Sequence, residues 1–263
     1  MSDCRHFALI GHPLGHSLSK ALFDDAFDGR HDYRLIDIDC PDSLRRIIGK
    51  YELSGFNVTI PYKIKIISML DRLSEEAREV GAINCVRVEP DGSLTGHNTD
   101  SEAFLMVLHK YMEVEGLSGD YGRTKAFILG TGGAAKAVAA AFRRIGVDYC
   151  FVSRNAPKSS SDETISYDKA YSAMVQPEAR THHQPTTIIV NATPVGMAPR
   201  IEQTPWAHPE LLSEKHLVCD LTYNPSPTRF MREAAEAGAT VKDGFEMLKN
   251  QARLSWEFWG ITP

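Results

Sequence analysis

The sequence predicts an α/β chain of two domains, and three observations carry that expectation. From residue 6 onward, short apolar runs alternate with amphipathic stretches, the pattern of βαβ units built on a mainly parallel sheet. A second series of the same kind begins near Lys125 and opens on a strand, a glycine turn and a helix. The length of 263 residues is enough to bury two modest cores.

In the first domain, Phe7-Ala8-Leu9-Ile10 reads as a strand ending at Gly11-His12-Pro13-Leu14-Gly15. Leu18, Ala21, Leu22 and Ala26 then recur at helical spacing, with Ser17 as the expected N-cap. Residues 33–38 form a second strand. Leu44, Ile47, Ile48 and Tyr51 mark a second helix, with Pro41 near its start. The third strand is Gly55-Phe56-Asn57-Val58-Thr59-Ile60, stopped by Pro61. Its period of two puts Asn57 and Thr59 on one face, and Lys63 falls just past its end, where open α/β sheets place their ligands. Helical stretches with Ile64, Ile67, Leu70 and Leu73, then Ala77 and Val80, precede a strand over residues 81–86 and a turn at Pro90-Asp91-Gly92. Residues 94–100 lead into a helix around Ala103, Phe104, Val107 and Leu108, the expected bridge between domains. The expected boundaries are 1–100 and 101–243, with a C-terminal helix over 244–263 returning to the first domain. Phe245, Leu248, Ala252, Trp256 and Trp259 form its apolar stripe.

The second domain is expected to be of Rossmann type. Residues 126–129 are a buried strand, the helix after the glycine turn runs through Val138, Ala141, Phe142 and Ile145, and Gly146 closes it. Strands follow at 149–152, 187–190 and 217–221. The segment 155–166 is polar, and residues 194–209 hold four prolines, so both read as loops.

Composition excludes several classes. The formal net charge of −5 argues against a nucleic-acid or anionic-membrane surface. No apolar run approaches a membrane span, and the N-terminus shows no secretory signal. The five cysteines are scattered without a C-x-x-C pair, as expected of reduced thiols in a cytoplasmic protein without structural zinc.

Two constellations carry chemistry. Gly130-Thr131-Gly132-Gly133-Ala134-Ala135 matches G-x-G-x-x-A with the strand before it and the helix after it that dinucleotide binding requires. Gly130 permits the turn, Gly132 lets a pyrophosphate approach the helix N-terminus, and Ala135 allows close helix–strand packing. The next strand ends in Ser153-Arg154-Asn155 with Lys158 nearby, and no carboxylate stands where an NAD ribose would be read. Arg154 offers a planar fork for a 2′-phosphate, which favours NADP over NAD. Asn191-Ala192-Thr193-Pro194-Val195-Gly196-Met197 ends another strand on the same side. The first domain instead offers Ser17, Ser19, Asn57, Thr59, Asn84, Asp100 and Lys63 at strand and loop ends, a set suited to a small polyhydroxylated anion. Singly, each of these also serves as a cap or turn residue, and His182-His183 reads as a solvated pair in a polar loop.

In order, the motifs G-H-P-L-G-H-S-L-S, N-V-T-I-P-Y-K, G-A-I-N, G-H-N-T-D, G-T-G-G-A-A, N-A-T-P-V-G-M, D-L-T-Y-N-P and G-F-E-M-L-K-N-Q resemble those of the shikimate dehydrogenase family, from about residue 6 to about residue 258. The resemblance implies reversible reduction of 3-dehydroshikimate to shikimate with NADPH, on the route to chorismate and the aromatic amino acids, by a two-domain fold with the substrate in its cleft. It maps the substrate carboxylate contacts to Ser17 and Ser19, with Tyr223 beside them, and the ring-hydroxyl contacts to Thr59, Asn84 and Gln251. It maps the catalytic pair to Lys63 and Asp100. Cofactor contacts map to residues 130–135, Arg154, Thr193, Leu221 and Gly244, with Ser153 flanking the phosphate reader. The implied enzyme is a monomer or homodimer. Lys20, Cys85 and Thr131 depart from the usual proline, threonine and alanine, and Ser153 and Asn155 from the usual asparagine and threonine. Alternative readings are a broader quinate/shikimate dehydrogenase using NAD or NADP, and a non-catalytic shikimate-sensing module on the same fold.

Overall fold

The computed structural model describes residues 4–15, 17–114, 121, 124–156, 163–175 and 187–263. The chain divides into two compact units, Met1–Ala103 with Leu248–Pro263, and Phe104–Met247.

The first unit runs β1 (His6–Gly11), α1 (Ser19–Phe27), β2 (Asp32–Asp37), α2 (Leu44–Tyr51), β3 (Leu53–Val58), a 3-10 turn at Lys65–Met69, β4 (Arg72–Leu73), α3 (Glu75–Val80), β5 (Cys85–Val88) and β6 (Leu94–His97). The chain leaves the unit within α4 (Asp100–Val114). The six strands form one sheet in the order β2-β1-β3-β5-β6-β4. β1 lies parallel to β2 and β3, whereas β5 is antiparallel to both β3 and β6. β4 lies parallel to β6, so the sheet is mixed, with three of its five strand pairings parallel. The tight turn at 89–93, closed by the Gly92 N–H on the Glu89 carbonyl, is too short for a crossover and can only send the chain back antiparallel.

Period-two alternation in β1 builds the core on both faces of this sheet. Ala8 and Ile10 join Leu44, Phe56, Val58 and Ile83 on one side; Phe7 and Leu9 join Phe23, Phe27, Tyr33 and Trp259 on the other. The buried face of α1 is set by Phe23 and Phe27, while Ala21, expected inside, is exposed. The two rings carry more apolar area than the alanines and so take the core side. The α1 N-cap is Leu18; the Ser17 hydroxyl instead accepts the Ser19 N–H at 3.3 Å.

The second unit runs β7 (Lys125–Leu129), α5 (Gly133–Ile145), β8 (Asp148–Val152), β9 (Thr164–Ile165), α6 (Tyr167–Val175), β10 (Thr187–Asn191), β11 (His216–Asp220), α7 (Arg229–Glu236) and β12 (Thr240–Lys242). Its sheet is parallel throughout, in the order β12-β11-β10-β7-β8-β9. The strand order reverses between β7 and β10, the switch point at which such sheets bind ligands. Ala135, Val138 and Phe142 of α5 are fully buried. The helix closes at Gly146 in the left-handed region, φ 71°. β9, α6, α7 and β12 are not among the elements read from the sequence; β9, of two residues, lies in the stretch 155–166 that reads as a loop, and β12 has only three.

The C-terminal helix α8 (Phe245–Phe258) begins in the second unit and enters the first at Leu248. Leu248, Ala252, Ser255 and, past its end, Trp259 are buried in the first unit. Trp259 stacks on Phe7 at 4.6 Å, and its indole N–H donates to the Val86 carbonyl at 2.9 Å. Phe245, expected on this stripe, is exposed. Among the described residues no helix is long and apolar enough to cross a membrane, and no three His, Cys, Asp or Glu side chains gather as a metal site.

Candidate active site

Strand direction gathers the polar residues of the first unit at one end of its sheet. β1 and β3 end there, β5 starts there and β6, antiparallel to β5, ends there. The Thr59 N–H donates to Ile10 at the end of β1, and the Val58 N–H to the Asn84 carbonyl at the mouth of β5. Ser17 and Ser19 follow β1, Thr59 and Lys63 follow β3, and Asp100 follows β6.

At this end Lys63 pairs with Asp100, Nζ to Oδ2 at 2.7 Å, with side chains 17% and 6% exposed. The other oxygen of Asp100 accepts the Asn84 side-chain amide at 2.9 Å. The same amide donates to Thr99 Oγ1 at 2.8 Å and reaches Gln251 Oε1 at 3.5 Å, while the Asn84 carbonyl oxygen accepts the Thr99 N–H at 2.8 Å. Two backbone bonds fix the segment that carries Lys63: the Tyr62 N–H donates to the Thr59 carbonyl, and the Ile83 N–H to the Lys63 carbonyl. The Tyr62 hydroxyl anchors it further on the Ile38 carbonyl at 2.5 Å. Lys63, Asp100, Asn84 and Gln251 thus form one hydrogen-bonded group.

Three members of this network were missed or left open by the sequence. Asn57 does not face solvent: it accepts from the Tyr33 hydroxyl at 2.9 Å and donates to the Asn84 carbonyl and to Ser255 Oγ. Thr99 is 1% exposed and Ser255 0%. The available signal was Ser255 itself, a serine inside the apolar stripe and one turn after Gln251, to whose carbonyl it donates at 2.8 Å.

Before Ser17 the chain is held by His12 and Asp37. His12 Nδ1 lies 2.5 Å from Asp37 Oδ1, and the Leu14 N–H donates to Oδ2 at 3.1 Å. The hydrogen bond raises the His12 pKa and lowers that of Asp37. Ser17, Ser19 and Thr59 are half-buried.

In the second unit the glycine turn has the geometry that a dinucleotide needs. Gly130 has φ 102°, which strains any side chain, and a Cβ there would press on Thr193 Cγ2 at 3.0 Å. Gly132 is the N-cap of α5 with open space over it, and Gly133 begins the helix. Thr131, Ala134 and Ala135 complete the turn, Ala135 fully buried against the sheet. These residues fit a pyrophosphate on free helix N–H groups. Arg154 is exposed beyond β8, and the Ser153 hydroxyl accepts the Asn155 N–H at 3.2 Å. Lys158 and the histidines at 182 and 183 lie outside the described residues. Thr193 follows β10, and Leu221, whose N–H donates to Asn191, follows β11. Gly244 packs so closely on the Leu221 backbone that any Cβ would collide with it. Tyr223 is half-buried in this second unit.

A glycine turn at the switch point of a parallel sheet, joined in one chain to a unit holding a lysine–carboxylate pair, defines a two-unit α/β oxidoreductase of Rossmann type. The family model described as "Shikimate dehydrogenase substrate binding domain" matches residues 9–86. The chain is 35% identical to the shikimate dehydrogenase (NADP(+)) of Halothermothrix orenii, over 97% of this chain and 91% of that one. It resembles the shikimate 5-dehydrogenase of Thermus thermophilus, solved with NADP(H) and shikimate, at TM-score 0.77 and 32% identity over 98% of this chain and 95% of that one. The Listeria monocytogenes shikimate 5-dehydrogenase, solved with shikimate and NAD, gives TM-score 0.77 at 26% identity over 100% and 94%. The chain belongs to the shikimate dehydrogenase family.

Proposed function

We propose that this chain catalyses the reversible reduction of 3-dehydroshikimate to shikimate with NADPH, and that it does so in the cytoplasm as a monomer or homodimer. The single observation that carries the mechanism is the 2.7 Å contact of Lys63 with Asp100 in a polar group at the sheet end. Bound NADPH would supply the hydride to the ketone carbon. Lys63 gives a proton to the carbonyl oxygen as negative charge develops there, and takes it back in the oxidation direction. Asp100 keeps the ammonium of Lys63 in place, and Asn84 fixes Asp100 through its second oxygen. Ser17 and Ser19, with Tyr223, are the proposed donors to the substrate carboxylate, and Thr59, Asn84 and Gln251 the partners of its ring hydroxyls.

The cofactor's pyrophosphate would rest on residues 130–135, with Arg154, Ser153 and Lys158 at the 2′-phosphate and Thr193, Leu221 and Gly244 toward the nicotinamide. The absence of a carboxylate at the end of β8 supports NADP over NAD; the NAD bound to the Listeria relative supports testing both. Steady-state oxidation of shikimate and of quinate, each with NADP and with NAD, tests the reading. The expected result is highest kcat/KM for shikimate with NADP. Equal use of quinate would make the enzyme a broader quinate/shikimate dehydrogenase, and no turnover with any pair would overturn the catalytic reading in favour of a sensing module.

A further inference from the structure

Two polar side chains in the second unit are completely buried and stand outside the proposed chemistry. Asn191 ends β10 and Asp220 ends β11, directly opposite each other in the parallel register, and both are 0% exposed. The Asn191 amide donates to Asp220 Oδ1 at 2.9 Å and to the Val195 carbonyl at 3.2 Å. Its oxygen accepts both the N–H and the hydroxyl of Thr193, at 3.1 and 2.7 Å. Asp220 also accepts the Thr222 N–H at 3.0 Å and the Thr228 hydroxyl at 2.7 Å. Thr228 in turn caps α7. One amide and one carboxylate thus hold the loop after β10 and the loop after β11.

A buried carboxylate is costly unless donors surround it, and burial does push the Asp220 carboxyl up while its three donors pull it down. Packing alone does not call for such a group, because an apolar pair would fill the space at less cost. Both residues are inaccessible and so act through others.

We infer that Asn191 and Asp220 are paired positioning residues that set the two loops under the nicotinamide half of the cofactor. The inference rests on the proposed NADP reading and deepens it. The strand order supports the assignment. With the pyrophosphate at the end of β7 and Arg154 on the β8 side, the adenosine half lies over β8. The other half then runs over β10 and β11, whose ends this pair joins.

The test compares a whole and a partial ligand on the full chain: Kd for NADP and for 2′,5′-ADP, which lacks the nicotinamide half, by calorimetry. The variants are Asn191→Asp, which sets two carboxylates together and turns an oxygen toward the Val195 carbonyl, Asp220→Asn, and the exchanged pair Asn191→Asp/Asp220→Asn. Asn191→Asp is expected to raise the Kd for NADP roughly tenfold or more. Its Kd for 2′,5′-ADP should stay at the wild-type value, and the exchanged pair should regain part of the lost NADP affinity. The near-isosteric Asp220→Asn, which keeps one accepting oxygen and turns the other into a donor, should fold and show a smaller loss of the same selective kind. Equal loss of both ligands, or NADP affinity unchanged in every variant, overturns the inference. Wild-type protein that binds neither ligand overturns the NADP reading itself, a result separable from the others.

Discussion

Lys63 and Asp100, 37 positions apart in sequence, meet at 2.7 Å between Nζ and Oδ2. The other oxygen of Asp100 is taken by Asn84, so the carboxylate is gripped from two sides. Asp100→Asn keeps the size of the side chain but removes the charge that holds the ammonium. It is expected to lower kcat by roughly 10²–10⁴ while KM for shikimate changes only a few-fold. Steady-state kinetics check this; a raised KM at unchanged kcat would make Asp100 a binding group instead.

Asn84 is committed to Asp100 and Thr99 through both ends of its amide. Replacing it with alanine leaves the buried Thr99 N–H and one oxygen of Asp100 without those partners. A loss of about 1–3 kcal/mol of stability is expected, together with a loss of turnover. Urea unfolding measures the first; unaltered stability would mean that the network does not tie β5 to α4.

The tie between His12 and Asp37 is pH-dependent in a definite direction. The pKa of His12 is raised by its hydrogen bond to Asp37, so its contribution is complete below the ordinary histidine value of 6.5 and is lost as pH rises through the elevated one. Asp37 is lowered from 3.8, so at the acid end the tie is lost only as pH falls through that depressed value. An NMR titration of His12 should give a midpoint above 6.5 that drops toward it in Asp37→Asn. An unmoved midpoint would show that Asp37 is not the cause.

Much of this was legible in the sequence, and the remainder has physical reasons. The strand–glycine turn–helix at 125–145 was readable because each residue there serves local geometry, which neighbouring residues reveal. Lys63 and Asp100 were nameable, but only through the ordered motifs, since nothing local to either stretch declares the other. Asn57 stayed ambiguous because its partners, Tyr33, Asn84 and Ser255, come from three distant elements. The parallel majority of the first sheet was legible, but its antiparallel hairpin was not: a strand over 81–86 and a turn at 90–92 were readable, while β6 read only as the lead into a helix because it is four residues long and runs straight into α4. The α1 face went to Phe23 and Phe27 because ring area outweighs the count of small apolar residues at the right spacing.

Arg154 is proposed to read the 2′-phosphate. Arg154→Gln should raise KM for NADPH roughly tenfold to a hundredfold, the worth of a charge-assisted bond, and leave KM for NADH nearly unchanged. Equal effects on both cofactors would place the arginine elsewhere.

The central claim is proton transfer by Lys63 to the ketone of 3-dehydroshikimate, and its most direct test pairs turnover with binding in one variant. Lys63→Ala should lose roughly 10²–10⁴ in the rate of NADPH oxidation with 3-dehydroshikimate. Its calorimetric Kd for shikimate should stay within a few-fold of wild type. Wild-type turnover in the folded Lys63→Ala protein would contradict the account.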